Sequence, residues 1–251
     1  MFEILILSLI QGITEFLPVS SSAHLILIAN YINYENQSLS IDVSLHIGSF
    51  IAVIVYFFKD IKNLVKNKSL FLKIFISSIP VMVIGYIFVQ TNLIEKIRNI
   101  EFIAWTTLLF GILLYLSDKF SLNKNINNLS YKSAIFIGLF QVLSLIPGVS
   151  RSGITITAAR FLNFRRTDSA KISFLLSIPT LGAVSIFGLK NIIFLGNFNF
   201  SILNIVSIFM SFLFSLITIK YFLKYIEKFS LNIFVGYRIL LGLILLMVAY
   251  L

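Results

Sequence analysis

The stretch EFLPVSSSAH (residues 15–24) places a carboxylate, three consecutive hydroxyls and an imidazole within ten residues. Glu15 and His24 can move protons beside a phosphate or hold a metal ion. One of Ser20, Ser21 or Ser22 could attack an electrophile, with His24 as its base. Gln11 lies one helical turn before Glu15, on the same face. Either could direct a divalent cation or a water. One firm carboxylate is thin for an all-protein metal site, so a Mg²⁺ shared with a pyrophosphate fits better. A second polar island, PGVSRSG (147–153), contains Arg151, a planar bidentate donor suited to phosphate oxygens.

These groups sit in a chain that is otherwise greasy. It has 251 residues, 58% hydrophobic and 12% charged, with a mean hydropathy of +0.98. A soluble domain carries about a quarter charged residues. Apolar runs near the length of a bilayer crossing recur, which predicts an all-α polytopic membrane protein. Cysteine is absent, excluding disulfides and thiolate chemistry. The net charge of +10 is read as loop lysines and arginines that set topology and meet anionic headgroups, with no nucleic acid as partner. No cleavable signal peptide is expected, because Glu3, Gln11 and Glu15 do not suit an apolar leader.

Six spanning helices are predicted at Ile41–Phe58, Phe71–Gln90, Phe102–Ser117, Ser169–Leu189, Ile202–Leu223 and Asn232–Leu251. Two further segments are long but broken: Phe2–Tyr31, interrupted around Leu17–Ser22, and Tyr131–Leu162, interrupted around Pro147–Gly153. The loops Lys59–Lys73 and Asp118–Lys132 are basic and assigned to the inside; Gln90–Glu101 carries no net charge and is assigned outside. If Tyr131–Leu162 crossed the membrane, Arg160, Arg165, Arg166 and Lys171 would lie outside. The simplest repair is a re-entrant hairpin, each arm reaching ~22 Å into a ~30 Å core. By the same count the first broken segment dips in from the outer face.

QGITEFLPVSSSA (11–23) aligns without a gap on QVLSLIPGVSRSG (141–153), pairing Gln11 with Gln141, Ser20 with Ser150 and Ser21 with Arg151. SSIP (77–80) echoes LSIP (176–179) downstream. The reading is a single membrane domain over 1–251, with a first inverted repeat at 1–118 (hairpin 2–31) and a second at 130–251 (hairpin 131–162). Pro18 and Pro147–Gly148 break each helix, and hydroxyl residues restart it: Ser20–Ser22 and Ser150–Ser152. Helix N-termini favour anions, so two such ends facing each other make a phosphate cradle. That is where polar groups at membrane depth satisfy each other and a ligand.

QGITEFLPVSSSAHL and PGVSRSGITIT resemble the two signature motifs of the undecaprenyl pyrophosphate phosphatase family, associated with bacitracin resistance. DVSLHIGSFIAVIVYF and AKISFLLSIP extend the likeness over most of the chain. The resemblance implies a bacterial plasma-membrane enzyme whose site opens to the outer face. It would hydrolyse a polyprenyl pyrophosphate carrier to the monophosphate for cell-wall synthesis. It implies dependence on a divalent cation, Mg²⁺ or Ca²⁺, for which Glu15 and Gln11 are the residues singled out above, and no organic cofactor. It assigns the chemistry to Glu15, Ser21, His24 and Arg151, and substrate binding to Gln11, Ser20, Ser22, Ser150, Ser152, Gly153 and Thr155. Relatives often carry Glu where this chain has Gln11, which puts any two-carboxylate scheme in doubt.

Plainer roles are assigned elsewhere. His46 is read as structural or supporting, and Arg160, Arg165 and Arg166 as a solvated topology signal. Gly12, Gly85, Gly111 and Gly138 are read as close helix contacts. Membrane lipids are the expected surroundings, and the sequence leaves open whether the chain forms a homo-oligomer. The rival reading is a lipid-phosphate transporter using the same anion site, motivated by the inverted repeat.

Overall fold

The computed structural model describes residues 2–21, 23–24, 39–91, 99–120, 123–194 and 201–250. Ten α-helices run through them, with no strand among the described residues. They are α1 (Phe2–Thr14), α2 (Leu39–Tyr56), α3 (Phe58–Lys66), α4 (Lys68–Gln90), α5 (Ile100–Asp118), α6 (Tyr131–Val142), α7 (Arg151–Phe161), α8 (Arg166–Phe194), α9 (Ile202–Lys228) and α10 (Asn232–Tyr250). Six of them, α2, α4, α5, α8, α9 and α10, are long and apolar enough to cross a bilayer, so this is a multi-pass all-α membrane protein.

The helices overrun the predicted spans at their polar ends, because backbone hydrogen bonding does not stop where hydrophobicity does. Helix α9 continues past Leu223 through Lys224 to Lys228. The stretch expected as the basic loop Lys59–Lys73 is largely helical. Its α3 contains no Pro or Gly, and it tucks Ile61 against the main core while Lys59, Lys62 and Lys66 face out.

Helix α2 packs mainly on α9 and α8, α1 on α9, α10 on α5, and α4 on α6. Small residues allow the close approaches. A Cβ on Gly48 would meet the Ile208 carbonyl at 2.4 Å, and one on Gly138 the Ser77 carbonyl at 2.4 Å. Between α2 and α9, Ser215 donates to Ser49 at 3.0 Å, and Ser211 donates to the Leu45 carbonyl at 2.7 Å. Hydroxyls and glycines replace apolar bulk here, since lipid offers no hydrophobic drive to pair helices.

Both broken segments are interrupted. The first leaves α1 at Thr14, turns through 15–19 and resumes helix at Ser21; the proposed return arm at 25–31 lies outside the described residues, as do the loop positions 33–38 and 92–98. The second leaves α6 through a short 3₁₀ turn, Leu143–Leu145, and restarts as α7, packed against α6. Ser20 and Ser150, partners in the gapless alignment, have φ of 75° and 71°. That left-handed conformation is uncommon for a residue bearing a Cβ. Gly148, at φ 88°, has no room for a side chain: a Cβ there would lie 2.2 Å from Thr106 Oγ1.

The basic residues after α7 divide. Arg165 is exposed, as the topology reading expected, but Arg160 is not solvated. It is fully buried and donates to the carbonyls of Phe164 (2.8 Å), Asp118 (2.9 Å) and Phe120 (3.2 Å). Arg166 grips both Asp118 carboxylate oxygens at 2.8 and 3.0 Å. Asp118 also accepts from the Leu231 N–H at 3.1 Å. Arg160 satisfies buried carbonyls at a chain reversal, and Arg166 pairs with a buried carboxylate, so only Arg165 keeps the solvated role expected of all three.

Candidate active site

The two breaks meet at one carboxylate. Glu15, 7% exposed, follows α1 directly and receives donors from both halves of the chain. Arg151 Nη2 donates to Oε1 at 2.7 Å, Ser21 Oγ donates to Oε2 at 3.0 Å, and Gln11 Nε2 donates to Oε2 at 3.1 Å. Gln11 and Glu15 meet because they lie four residues apart. Arg151 arrives as the first residue of α7, with Nη1 3.4 Å from the Ser173 carbonyl.

The hydroxyls of the second break are occupied in building it. Ser150 Oγ caps α7 by accepting the Gly153 N–H at 3.1 Å and lies 3.2 Å from Ser152 Oγ. Ser152 Oγ donates to the Leu17 carbonyl at 2.7 Å, tying the second break to the first. Thr155 donates to Ser173 Oγ at 2.7 Å. Ser20 is buried, with its Oγ 3.5 Å from the Ala23 N–H, an incipient cap on the first break. Ser22 lies outside the described residues.

His24 stands apart from the Glu15 cluster. Its Nδ1 is 2.6 Å from the Ser20 carbonyl, and its Nε2 contacts the Tyr237 hydroxyl, the two rings stacked 5.7 Å apart. A neutral imidazole that donates from Nδ1 and accepts from Tyr237 satisfies both contacts. Ser21 therefore pairs with Glu15 and not with His24. His46 is brought to the cluster instead: its Nδ1 is 2.7 Å from Gln11 Nε2 and 4.0 Å from Glu15 Oε2.

Arg238, on α10, escaped the sequence reading. It is fully buried and reaches the backbone of both breaks. Nη2 donates to the Gly148 carbonyl at 2.9 Å, and Nη1 to Val149 at 2.9 Å and Pro18 at 3.4 Å; Nε donates to Thr107 at 3.2 Å. The signal was available: a lone arginine inside an apolar helix is functional by default. Its neighbour Tyr237 holds His24, so one turn of α10 braces both bends.

A buried carboxylate, a hydroxyl hydrogen-bonded to it and an arginine at a helix N-terminus are groups that can bind a phosphate and move a proton beside it. The family model of the bacitracin resistance protein BacA matches residues 4–244. The chain belongs to the BacA family. BacA-family relatives are close and full-length. One from Pelagibacter ubique (strain HTCC1062), named undecaprenyl-diphosphatase, is 51% identical over 99% of this chain and 97% of its own length. Relatives with the same name from Saccharophagus degradans (strain 2-40) and Jannaschia sp. (strain CCS1) are 44% and 38% identical. The first covers 94% of this chain and 93% of its own length; the second covers 100% and 99%.

Proposed function

We propose that this protein is an undecaprenyl-diphosphate phosphatase that works at the Glu15–Ser21–Arg151 cluster. Water is consumed, the bond between the bridging oxygen and the terminal phosphorus breaks, and lipid monophosphate and inorganic phosphate form. The observation that carries the reading is Glu15, buried and bonded at once to a hydroxyl of one break and the guanidinium of the other. Ser21 Oγ attacks the terminal phosphorus while Glu15 takes its proton over the 3.0 Å contact already present. Arg151 exchanges part of its grip on Glu15 for phosphate oxygens, and the first turn of α7 adds partial positive charge. Water then releases phosphate from Ser21, with Glu15 again holding the proton. His24, held by Tyr237 and the Ser20 carbonyl apart from that cluster, is assigned the rest of the diphosphate.

Gln11 and Glu15 are the residues that would hold a divalent cation, Mg²⁺ or Ca²⁺. Gln11 Oε1 is buried with no hydrogen-bond partner, a free acceptor beside the carboxylate. No group of three His, Cys, Asp or Glu assembles among the described residues, which favours a cation shared with the diphosphate. The cation would neutralise charge on the diphosphate oxygens. No organic cofactor is required.

The same reading takes both broken segments as re-entrant hairpins of two inverted repeats, 1–118 and 130–251. It places the protein in a bacterial plasma membrane with the site open to the outer face, among membrane lipids and without nucleic acid. The shared left-handed φ at Ser20 and Ser150 supports the repeat. None of the relatives named above bears a transporter's name, and no contact among the described residues favours the lipid-transporter reading. Purified protein should release phosphate from polyprenyl pyrophosphate, and Ser21→Ala should lower the rate at least about a hundredfold. Normal turnover by that variant would remove the covalent step.

A further inference from the structure

The Gln11 amide presents a geometric problem. Both its N–H bonds are used, toward Glu15 Oε2 at 3.1 Å and His46 Nδ1 at 2.7 Å, while its Oε1 is fully buried with no partner. The N–H₂ group does in this arrangement what a cation would do between the same two acceptors. A half-turn of the amide exchanges nitrogen for oxygen at almost no change in volume. It would bring three lone-pair donors, carboxylate, amide oxygen and imidazole nitrogen, to one point. That cluster is repulsive alone and favourable around a positive ion.

The spacing fits. Two ligands of one cation, each about 2.1 Å from it, stand roughly 3 Å apart at right angles and about 4.2 Å apart in trans. His46 Nδ1 and Glu15 Oε2 are 4.0 Å apart, inside that window. The His46 side chain is 27% exposed and Gln11 is fully buried, so an ion could enter from the imidazole side. The second break offers no equivalent. There Leu145 stands opposite Glu15 in the alignment, and Gln141 is buried with both amide atoms unpartnered. The imidazole comes from α2.

We propose that His46 is a protein ligand of the divalent cation in this chain, completing a Glu15–Gln11–His46 set; this rests on the cation part of the reading above. The set supplies one charge and one imidazole nitrogen. Mn²⁺, which takes the oxygen ligands that Mg²⁺ and Ca²⁺ take and also accepts an imidazole, is therefore a fitting spectroscopic probe of the set.

The test is spectroscopic and separable from turnover. The chain contains two histidines, so untagged protein loaded with Mn²⁺ can report imidazole coordination through ¹⁴N electron spin-echo modulation. The expected result is histidine modulation in the unaltered protein. It should persist in His24→Gln and vanish in His46→Gln, with Mn²⁺ affinity lowered at least about tenfold. Mn²⁺ bound without imidazole modulation overturns the assignment, and so does modulation lost in His24→Gln alone. Absence of Mn²⁺ binding overturns it also. The unaltered protein needs no mutation to fail this test, so misfolding of a variant cannot hide the answer. Phosphate release is measured on the same samples. Modulation from His46 without phosphate release supports the cation site and removes the phosphatase reading; release without modulation does the reverse.

Discussion

At Ser20 and at Ser150 the backbone shares a positive φ, yet the side chains around the two bends differ in kind. The first bend holds Glu15, Ser21 and a Gln11 bonded to its neighbours. The second holds Leu145, Arg151 and a Gln141 with no partner on either amide atom. The positive φ is shared while the side chains are complementary, a carboxylate and a hydroxyl in one bend and an arginine in the other. Neither half contains a complete site. On the proposed repeat, one bend geometry serves both halves, and their roles differ by which positions keep a charge.

The division of labour can be broken at either end. Glu15→Ala and Arg151→Ala should each lower phosphate release at least about a hundredfold. The double variant should cost far less than the product of the two, because each residue's partner is already gone. Steady-state rates on a polyprenyl pyrophosphate, followed by phosphate detection, would show multiplicative losses if the bends act independently.

A smaller effect is expected where the bends are held together. Arg238→Gln leaves carbonyls of Pro18, Gly148 and Val149 without their donor. It should destabilise the protein by on the order of 3 kcal/mol and reduce turnover at least about tenfold. Thermal unfolding in detergent measures the first and phosphate release the second. An unchanged melting temperature would mean that α10 is a passive neighbour.

The backbone itself comes next. Gly148→Ala forces a Cβ against Thr106 at positive φ and should cost about 2 kcal/mol. Ser150→Gly relieves a strained φ while losing the cap on α7, so its net effect should stay within about 1 kcal/mol. Paired melting curves would refute this if the two variants behaved alike.

The smallest expected change has the opposite sign. Gln141→Leu replaces a buried amide lacking partners with an apolar group and should stabilise the protein by about 1 kcal/mol, with turnover unchanged. Gln11→Leu should instead impair cation-supported turnover. Equal behaviour of the two glutamines would erase the asymmetry between the bends.

Much of this arrangement was legible in the residue order. Six apolar runs set the spanning helices, and Pro18 with Pro147–Gly148 marked the breaks. The pairing of Glu15 with Gln11 followed from helical spacing. What stayed hidden depended on long-range contact. Nothing local says that Tyr237 would occupy His24, or that Ser152 would spend its hydroxyl on Leu17 rather than on a ligand. Arg160 looked like loop charge because its acceptors are carbonyls, which every residue carries. Arg238 was readable as a buried charge, though not as a clamp on two bends 220 residues and 90 residues away.

The central claim, that the bends near residues 20 and 150 converge on one carboxylate, has a direct test. The chain has no cysteine, so Ser21→Cys with Arg151→Cys introduces the only two thiols. A short thiol-specific cross-linker applied in intact membranes should join them within one chain. A protease site engineered beside Lys124 makes the joined halves visible on a gel. The account predicts efficient linkage for this pair and none for a control pairing Ser21→Cys with Lys228→Cys. Linkage no greater than the control would separate the bends and contradict the site.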